Sequence, residues 1–307
     1  LKLISAAGIR SVLTNPLKVF VGLANLGFFT RMDDERYLKL LYRGVLGRQL
    51  HLDPPVLYSE KIQWLKIHDK NPAYPMFSDK LAVRDFVKER VGEQLLIDLY
   101  GVWDSPDQID FSALPNQFVL KCTHDSGSAM ICRDKSTFDT QAACNALEQK
   151  LRKDYSISGR EWPYHDVPRR ILAEQYLTNS DGTRALEFKF FCFNGKAKFL
   201  LVRTNEYEHD SDNFTFLRDF TKHQIYRYKM QGSENTVVQK PSNYEEMIQI
   251  AEKLSEGFVH IRVDLYQTPM GTKFGEQTLY NASGLSKWMT LEGDRFLGDL
   301  LQLENVE

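Results

Sequence analysis

Asp264 and Glu276 are the two residues whose pattern most clearly spells out chemistry. They lie in FVHIRVDLY (258–266) and KFGEQTLY (273–280), two β-type runs close enough in sequence to pair as a hairpin. Alternation turns Val259, Ile261, Val263 and Leu265 to one face and His260, Arg262, Asp264 and Tyr266 to the other. On the second run Glu276, Thr278 and Tyr280 share a face. Adjacent antiparallel strands can therefore present Asp264, Glu276 and the Thr278 hydroxyl to one point, with Arg262 beside them. Hard oxygen ligands of this kind suit Mg²⁺, which commonly takes one or two carboxylates and completes its shell with phosphate oxygens. A surface Arg–Asp–Glu network of little energetic weight leaves the same pattern. Lys121 is the second candidate, because it ends a β run and precedes a loop of small residues. An ammonium beside free backbone N–H groups can cradle phosphate. The loop lacks P-loop spacing and no GxGxxG occurs, so a plain tight turn reads equally well.

These residues need strands to hold them, and the strands are legible. NQFVLKC (116–122) and SAMICRD (128–134) are β-type runs joined by His124-Asp125-Ser126-Gly127, and RILAEQYL (170–177) reads as a strand. LEFKFFCF and KAKFLLV flank Asn194-Gly195, which calls for a type I′ hairpin. Helices are expected in DDERYLKLLYRGVLGRQL with Asp33 or Asp34 as cap, after Pro54-Pro55 with Ser59 as cap, and in SDKLAVRDFVKERVG with Gly92 as stop. Ser242 to Glu245 has the spacing of a capping box before a helix carrying Met247, Ala251 and Leu254. Residues 205–240 are polar and irregular, the pattern of a long substrate-facing loop.

Composition narrows the function. With 307 residues, 42% hydrophobic and 26% charged, the chain can bury a sizeable core, and a net charge of −2 gives no footprint for nucleic acid. Cys122, Cys132, Cys144 and Cys192 have neither CxxC nor zinc-ligand spacing and read as buried thiols of a reducing compartment. Residues 16–29 (PLKVFVGLANLGFF) are apolar but too short and interrupted to span a bilayer, and no signal peptide is expected. They read as a helix packed on the domain, with a peripheral membrane or oligomer contact as the alternative. The expected location is the cytoplasm, including the inner face of the membrane.

Taken in order, FVLKCTHDSGS, ILAEQYL, EFKFFCFNGKAKF and IRVDLY…FGEQT resemble an ATP-grasp enzyme. EKIQWLKIHDKNP, SDKLAVRDFV, GREWPY and the closing FLGDLL resemble its TupA-like branch, named for teichuronopeptide synthesis and associated with bacterial surface polysaccharides. The resemblance covers roughly 33–302 and implies an α+β ATP-grasp fold, two lobes clasping the nucleotide. Residues 1–57 would form a helical N-terminal segment and 58–307 the ATP-grasp domain, with a flap-bearing small lobe at about 95–175 and a metal-binding lobe at 176–307.

The resemblance also implies roles. Lys80 and Lys121 match the lysines on the nucleotide phosphates, and the loop 124–128, with His124, Ser126 and Gly127, matches the flap that closes over them. Glu174, Gln175, Tyr176 and Leu177 match the hinge that meets adenine. Glu187 resembles the ribose carboxylate, with Lys189 on the same strand face. Asp264 and Glu276 match the Mg²⁺ carboxylates and Arg262 the arginine near the transferred phosphate. Thr278 stands where broader ATP-grasp enzymes carry Asn, a branch trait and a weaker ligand. Asp125 stands where the branch more often has Gly, which adds a negative charge near the phosphates. The implied activity is ATP- and Mg²⁺-dependent ligation of a carboxylate to an amine, such as an amino acid, through an acyl phosphate. A kinase and a non-catalytic nucleotide- or polysaccharide-binding module are the alternatives.

Overall fold

The computed structural model describes residues 17–204, 212–227 and 237–303. The chain enters through two helices, α1 (Leu17–Asn25) and α2 (Asp34–Leu46). Asp33 caps α2 by accepting the Arg36 N–H at 3.0 Å, and Gly47, at φ 75°, closes it. Ala24, Tyr37, Leu38 and Leu41 are buried between the two helices, and Phe20 stacks on Phe29 at 4.5 Å. Helix α1 thus packs on the domain as expected, while Val19, Leu26 and Phe28 stay exposed.

Helix α3 (Tyr58–His68) follows the Pro54-Pro55 break. Its cap is not Ser59: Leu57 occupies the N-cap, and the Glu60 carboxylate accepts the Val56 and Leu57 N–H groups at 3.0 Å each. Ser59 instead donates its hydroxyl to Asp294 at 2.7 Å, because a buried carboxylate from the C-terminal helix lies against it. Short α4 (Tyr74–Ser78) and α5 (Val83–Val91) complete the approach to the first sheet.

That sheet is antiparallel, with order β1-β4-β2-β3, made from β1 (Leu99–Trp103), β2 (Phe118–Cys122), β3 (Met130–Cys132) and β4 (Ile171–Gln175). Helix α6 (Thr140–Arg152) covers it through Leu147, over Phe118, Leu120 and Ala173. A one-turn helix α7 (Tyr155–Gly159) precedes β4.

The second sheet is antiparallel with order β7-β6-β5-β8-β9, from β5 (Glu187–Phe193), β6 (Lys196–Thr204), β7 (Asp212–Leu217), β8 (His260–Thr268) and β9 (Gly271–Thr278). Asn194 (φ 48°) and Gly195 (φ 71°) turn β5 into β6, the two positive φ angles a type I′ turn requires. All seven residues of central β5 are buried. Phe188, Phe190 and Cys192 face α8 (Tyr244–Leu254), where Phe190 meets Tyr244 and the Cys192 thiol lies 3.8 Å from the Ala251 carbonyl oxygen. Each fully buried Phe contributes roughly 2–3 kcal/mol of hydrophobic stabilisation. The opposite face is divided: Phe191, Phe193 and His260 lie under the Tyr58 ring, whereas Glu187, Lys189, Arg262 and Asp264 carry charge. The closing helix α9 (Leu291–Leu300) packs on α3.

Two local expectations change. Asn243, not Ser242, occupies the N-cap of α8 without a side-chain cap bond, and its amide nitrogen donates to the Thr272 hydroxyl at 2.9 Å. The stretch 205–240 is not one loop: β7 adds an edge strand to the sheet, and the remaining positions at 205–211 and 228–236 lie outside the described residues.

Candidate active site

Strand pairing sets Asp264 directly opposite Glu276 and Arg262 opposite Thr278. The register slips by one residue just beyond, where Leu265 pairs with Phe274, so Gly275 is the extra residue of a bulge. The bulge lets Phe274 face the core while Glu276 faces the charged side. Glycine is required there by space, since a Cβ would lie 2.9 Å from the Tyr266 ring and 3.1 Å from the Asp264 carbonyl oxygen.

Both carboxylates converge on one nitrogen. The Arg262 Nη2 donates to Asp264 Oδ2 at 2.7 Å and to Glu276 Oε1 at 2.8 Å, Nε donates to Asp264 Oδ1 at 2.6 Å, and Nη1 donates to Asn281 Oδ1 at 2.7 Å. Lys189 completes the cluster from β5, 2.6 Å from Asp264 Oδ2 and 2.5 Å from Glu187 Oε2. Burial alone would lower the Arg262 pKa, but Asp264 and Glu276 hold it above its ordinary value. Burial would likewise raise that of Glu276, yet Arg262, Lys189 and Lys80 hold it below the usual range.

A cavity of about 550 Å³ opens above this cluster, well within the roughly 300–1,000 Å³ of small-molecule sites. Lys80, Lys121, Ser126, Gly127, Glu187, Lys189, Arg262 and Glu276 all line it, so residues far apart in sequence and on both sheets share one wall. Lys80 donates to the Cys122 carbonyl oxygen at 3.1 Å and to that of Asp125, and Lys121 is ion-paired with Glu174. A narrow slot continues from the cavity past Lys121 and Tyr266, walled by Ile97, Val119, Ile131, Glu174, Gln175, Tyr176 and Leu177. It holds only about 20 Å³, so a planar base would have to spread its walls.

Three expected site residues stand back from the cavity wall. Asp264 is fully buried behind the Arg262 fork and Lys189. Thr278 is at the hairpin's end with its hydroxyl 3.4 Å from Glu276 Oε1. His124, itself in the flap loop, is buried: its Nε2–H donates to the Lys153 carbonyl oxygen at 3.3 Å, and burial pulls its pKa down. Asp125 is also turned inward: its carboxylate accepts the Ser128 hydroxyl at 2.5 Å, while Ser128 Oγ accepts the Cys122 N–H at 2.8 Å. The same carboxylate lies 3.9 Å from the Lys80 ammonium, so its charge both ties the loop and pairs with a lysine of the cavity wall.

The donor set suits Mg²⁺ in kind. Among the described residues no cluster of three His, Cys, Asp or Glu side chains could hold a metal, but two opposed carboxylates that leave positions for substrate oxygens are what this ion commonly uses. Glu276 is on the wall already; Asp264 reaches the cavity only if Arg262 turns aside.

Sequence reasoning missed part of the lining. Arg203 and Asn213 come from β6 and β7, Tyr226 from the stretch read as a loop, and Lys287 and Trp288 from the chain after the hairpin. Lys287 and Trp288 carry no local signal, whereas Tyr266 was findable from its alternation with Arg262 and Asp264.

The sequence profile of the family described as TupA-like ATPgrasp matches residues 60–302. No curated protein sequence matches the chain significantly. Among solved structures, the L-amino acid ligase from Bacillus licheniformis is similar over 89% of this chain and 63% of its own, at 11% identity and a TM-score of 0.49. D-alanine–D-alanine ligase from Bacillus anthracis, complexed with ATP, is similar over 73% and 61%, at 15% identity and a TM-score of 0.41. The D-alanine–D-alanine ligase from Helicobacter pylori is similar over 80% and 69%, at 12% identity and a TM-score of 0.42. The chain thus spans about three fifths of the length of the first two.

Proposed function

The chain belongs to the TupA-like ATP-grasp family, and from that premise we propose that it is an ATP- and Mg²⁺-dependent ligase that joins a carboxylate to an amine. The observation that carries the proposal is the single cavity shared by Lys80, Lys121, Lys189, Arg262 and Glu276. Six cations (Lys80, Lys121, Lys189, Arg203, Arg262 and Lys287) against two carboxylates (Glu187 and Glu276) on that wall, with the flap backbone of Ser126 and Gly127 beside them, suit a polyphosphate.

In this reading Lys80, Lys121 and the flap hold the phosphates, and the slot at Glu174, Gln175, Tyr176 and Leu177 receives the base. Glu187 takes the ribose side, with Lys189 next to it. Asp264 and Glu276 would hold Mg²⁺, with Thr278 and His124 in supporting positions behind the wall; the ion would supply neutralisation of phosphoryl charge. A substrate carboxylate oxygen attacks the γ-phosphorus and ADP departs, leaving an acyl phosphate. The amine then attacks the acyl carbon, phosphate leaves, and the amine proton passes to solvent. Arg262 and Lys121 stabilise charge on the transferring phosphoryl oxygens, the term that dominates such transfers.

We further propose that the acceptor is a bacterial surface saccharide or its precursor and the amine an amino acid. Tyr226 and Trp288 offer faces for a sugar ring, with Arg203 and Lys287 near for a carboxylate. Among the described residues no helix is long and apolar enough to cross a membrane. The exposed Val19, Leu26 and Phe28 support a peripheral membrane or oligomer contact of a cytoplasmic enzyme.

The test is ADP release from Mg-ATP across an array of carboxylates and amines. Release that needs both supports the ligase. A phosphorylated alcohol as product favours a kinase, and nucleotide binding without turnover in any combination favours a binding module.

A further inference from the structure

Lys66 lies on α3, outside the cavity lining that holds Lys80 and Lys121, and it is almost wholly buried, at 1% exposure. Its ammonium donates to the Ser283 carbonyl oxygen at 2.8 Å, Ser283 Oγ at 2.7 Å, the Gly159 carbonyl oxygen at 2.8 Å and Gln63 Oε1 at 3.0 Å. Gln63 grips the same Ser283 carbonyl through Nε2 at 2.9 Å. Burial pulls the Lys66 pKa down to about 8, and the buried Glu161 carboxylate offsets part of that.

The gripped segment is unusual. Ala282 (φ 48°), Ser283 (φ 55°) and Gly284 (φ 65°) are three successive left-handed residues, a conformation that non-glycine residues adopt only when their surroundings impose it. The loop presses on α3 so closely that a Cβ at Gly284 would sit 2.5 Å from Gln63 Nε2, and one at Gly159 would sit 2.5 Å from Ser283 Oγ. Its other side forms the cavity wall: Asn281 and Ala282 line the cavity, and Asn281 Oδ1 accepts from Arg262.

We propose that Lys66 is a positioning residue for the reaction, a buried ammonium that holds the 281–284 loop in its strained form and so sets Asn281, Arg262 and the acceptor side of the cavity. Lys66 does not itself line the cavity, and it reaches the cavity wall through its bonds to Ser283. Its three N–H groups, shared among four acceptor atoms, specify one loop conformation, whereas an apolar side chain of similar length would fill the space and leave the Ser283 carbonyl without its cation. The functional consequence rests on the ligase reading; the loop control does not.

The test is hydrogen–deuterium exchange on Lys66→Met, with Mg-ATP affinity and ADP release measured on the same protein. We expect amides of 281–288 to exchange at least about tenfold faster, with α8 and β5 unchanged, as local opening rather than global unfolding. Mg-ATP affinity should stay within about twofold, since Lys80 and Lys121 are untouched, while ADP release with any productive carboxylate–amine pair falls more than about tenfold. Gln63→Ala, which removes one grip and keeps the charge, should loosen the same amides less, and it serves if Lys66→Met does not fold. Unchanged 281–288 exchange in a folded variant, or faster exchange spread evenly over the chain, overturns the proposal. If the wild-type chain turns over no pair, the ligase reading fails, and exchange in the loop still decides the role of Lys66.

Discussion

Replacing Arg262 by Met separates a structural charge network from a cation site. Arg262 donates four hydrogen bonds, to Asp264, Glu276 and Asn281, in a place where Asp264 has no solvent contact. Breaking a buried ion pair by removing one partner costs about 3–5 kcal/mol, because the remaining charge has neither water nor counterion. Lys189 stays 2.6 Å from Asp264 Oδ2 and Glu276 is partly exposed, so the lower end applies, about 3 kcal/mol. For a chain of this size that is a fall in melting temperature of about 5 °C. Mg²⁺ should return much of it, because the two carboxylates then face each other without the guanidinium; an ion at a hundred times its Kd stabilises by about 2.7 kcal/mol. The assay is urea unfolding of wild type and Arg262→Met with and without Mg²⁺. A variant as stable as wild type contradicts the buried network, and a destabilised variant that Mg²⁺ does not rescue contradicts the cation site.

Other outcomes follow from the same geometry. Lys80→Ala and Lys121→Ala should each weaken Mg-ATP binding by about 10- to 100-fold in calorimetry, the worth of one charged hydrogen bond; unchanged affinity in both removes the nucleotide assignment. Glu276→Gln keeps an acceptor for Arg262 and should change stability by less than about 1 kcal/mol while abolishing Mg²⁺-dependent ADP release; a large stability loss favours a structural role. His260 is buried between Tyr58 and the Cys192 carbonyl, and burial lowers its pKa from 6.5 to about 4. The unfolded chain therefore binds its proton first, so stability present above pH 6.5 is lost as pH falls through 4. The loss is about 3 kcal/mol, and His260→Phe should flatten that part of the profile; an identical slope in both proteins refutes the assignment.

How much was legible depended on how local each cause was. The Asn194-Gly195 turn was readable because two successive positive φ angles have few solutions, and the charged face of β8 because alternation has a period of two. The family resemblance supplied Lys80 and the slot, which no spacing rule could join. The Gly275 bulge was not readable, since its cause is the Tyr266 ring pressing from the neighbouring strand. Nor was the inward turn of His124 and Asp125, which depends on a carbonyl at Lys153 and a hydroxyl at Ser128. Asp264 sealed behind its own neighbour Arg262 inverts the simplest reading of a metal carboxylate, because guanidinium and cation compete for the same oxygens. The cap at Ser59 failed because Asp294, distant in sequence, takes its hydroxyl.

The central claim is that this cavity activates a carboxylate with ATP. Once a productive pair is known, its carboxylate is labelled with oxygen-18 and the phosphate released with Mg-ATP is analysed by mass spectrometry. The account predicts one labelled oxygen in each phosphate, since the acyl phosphate breaks at its acyl carbon. Phosphate free of label, with both labelled oxygens retained in the product, would contradict it.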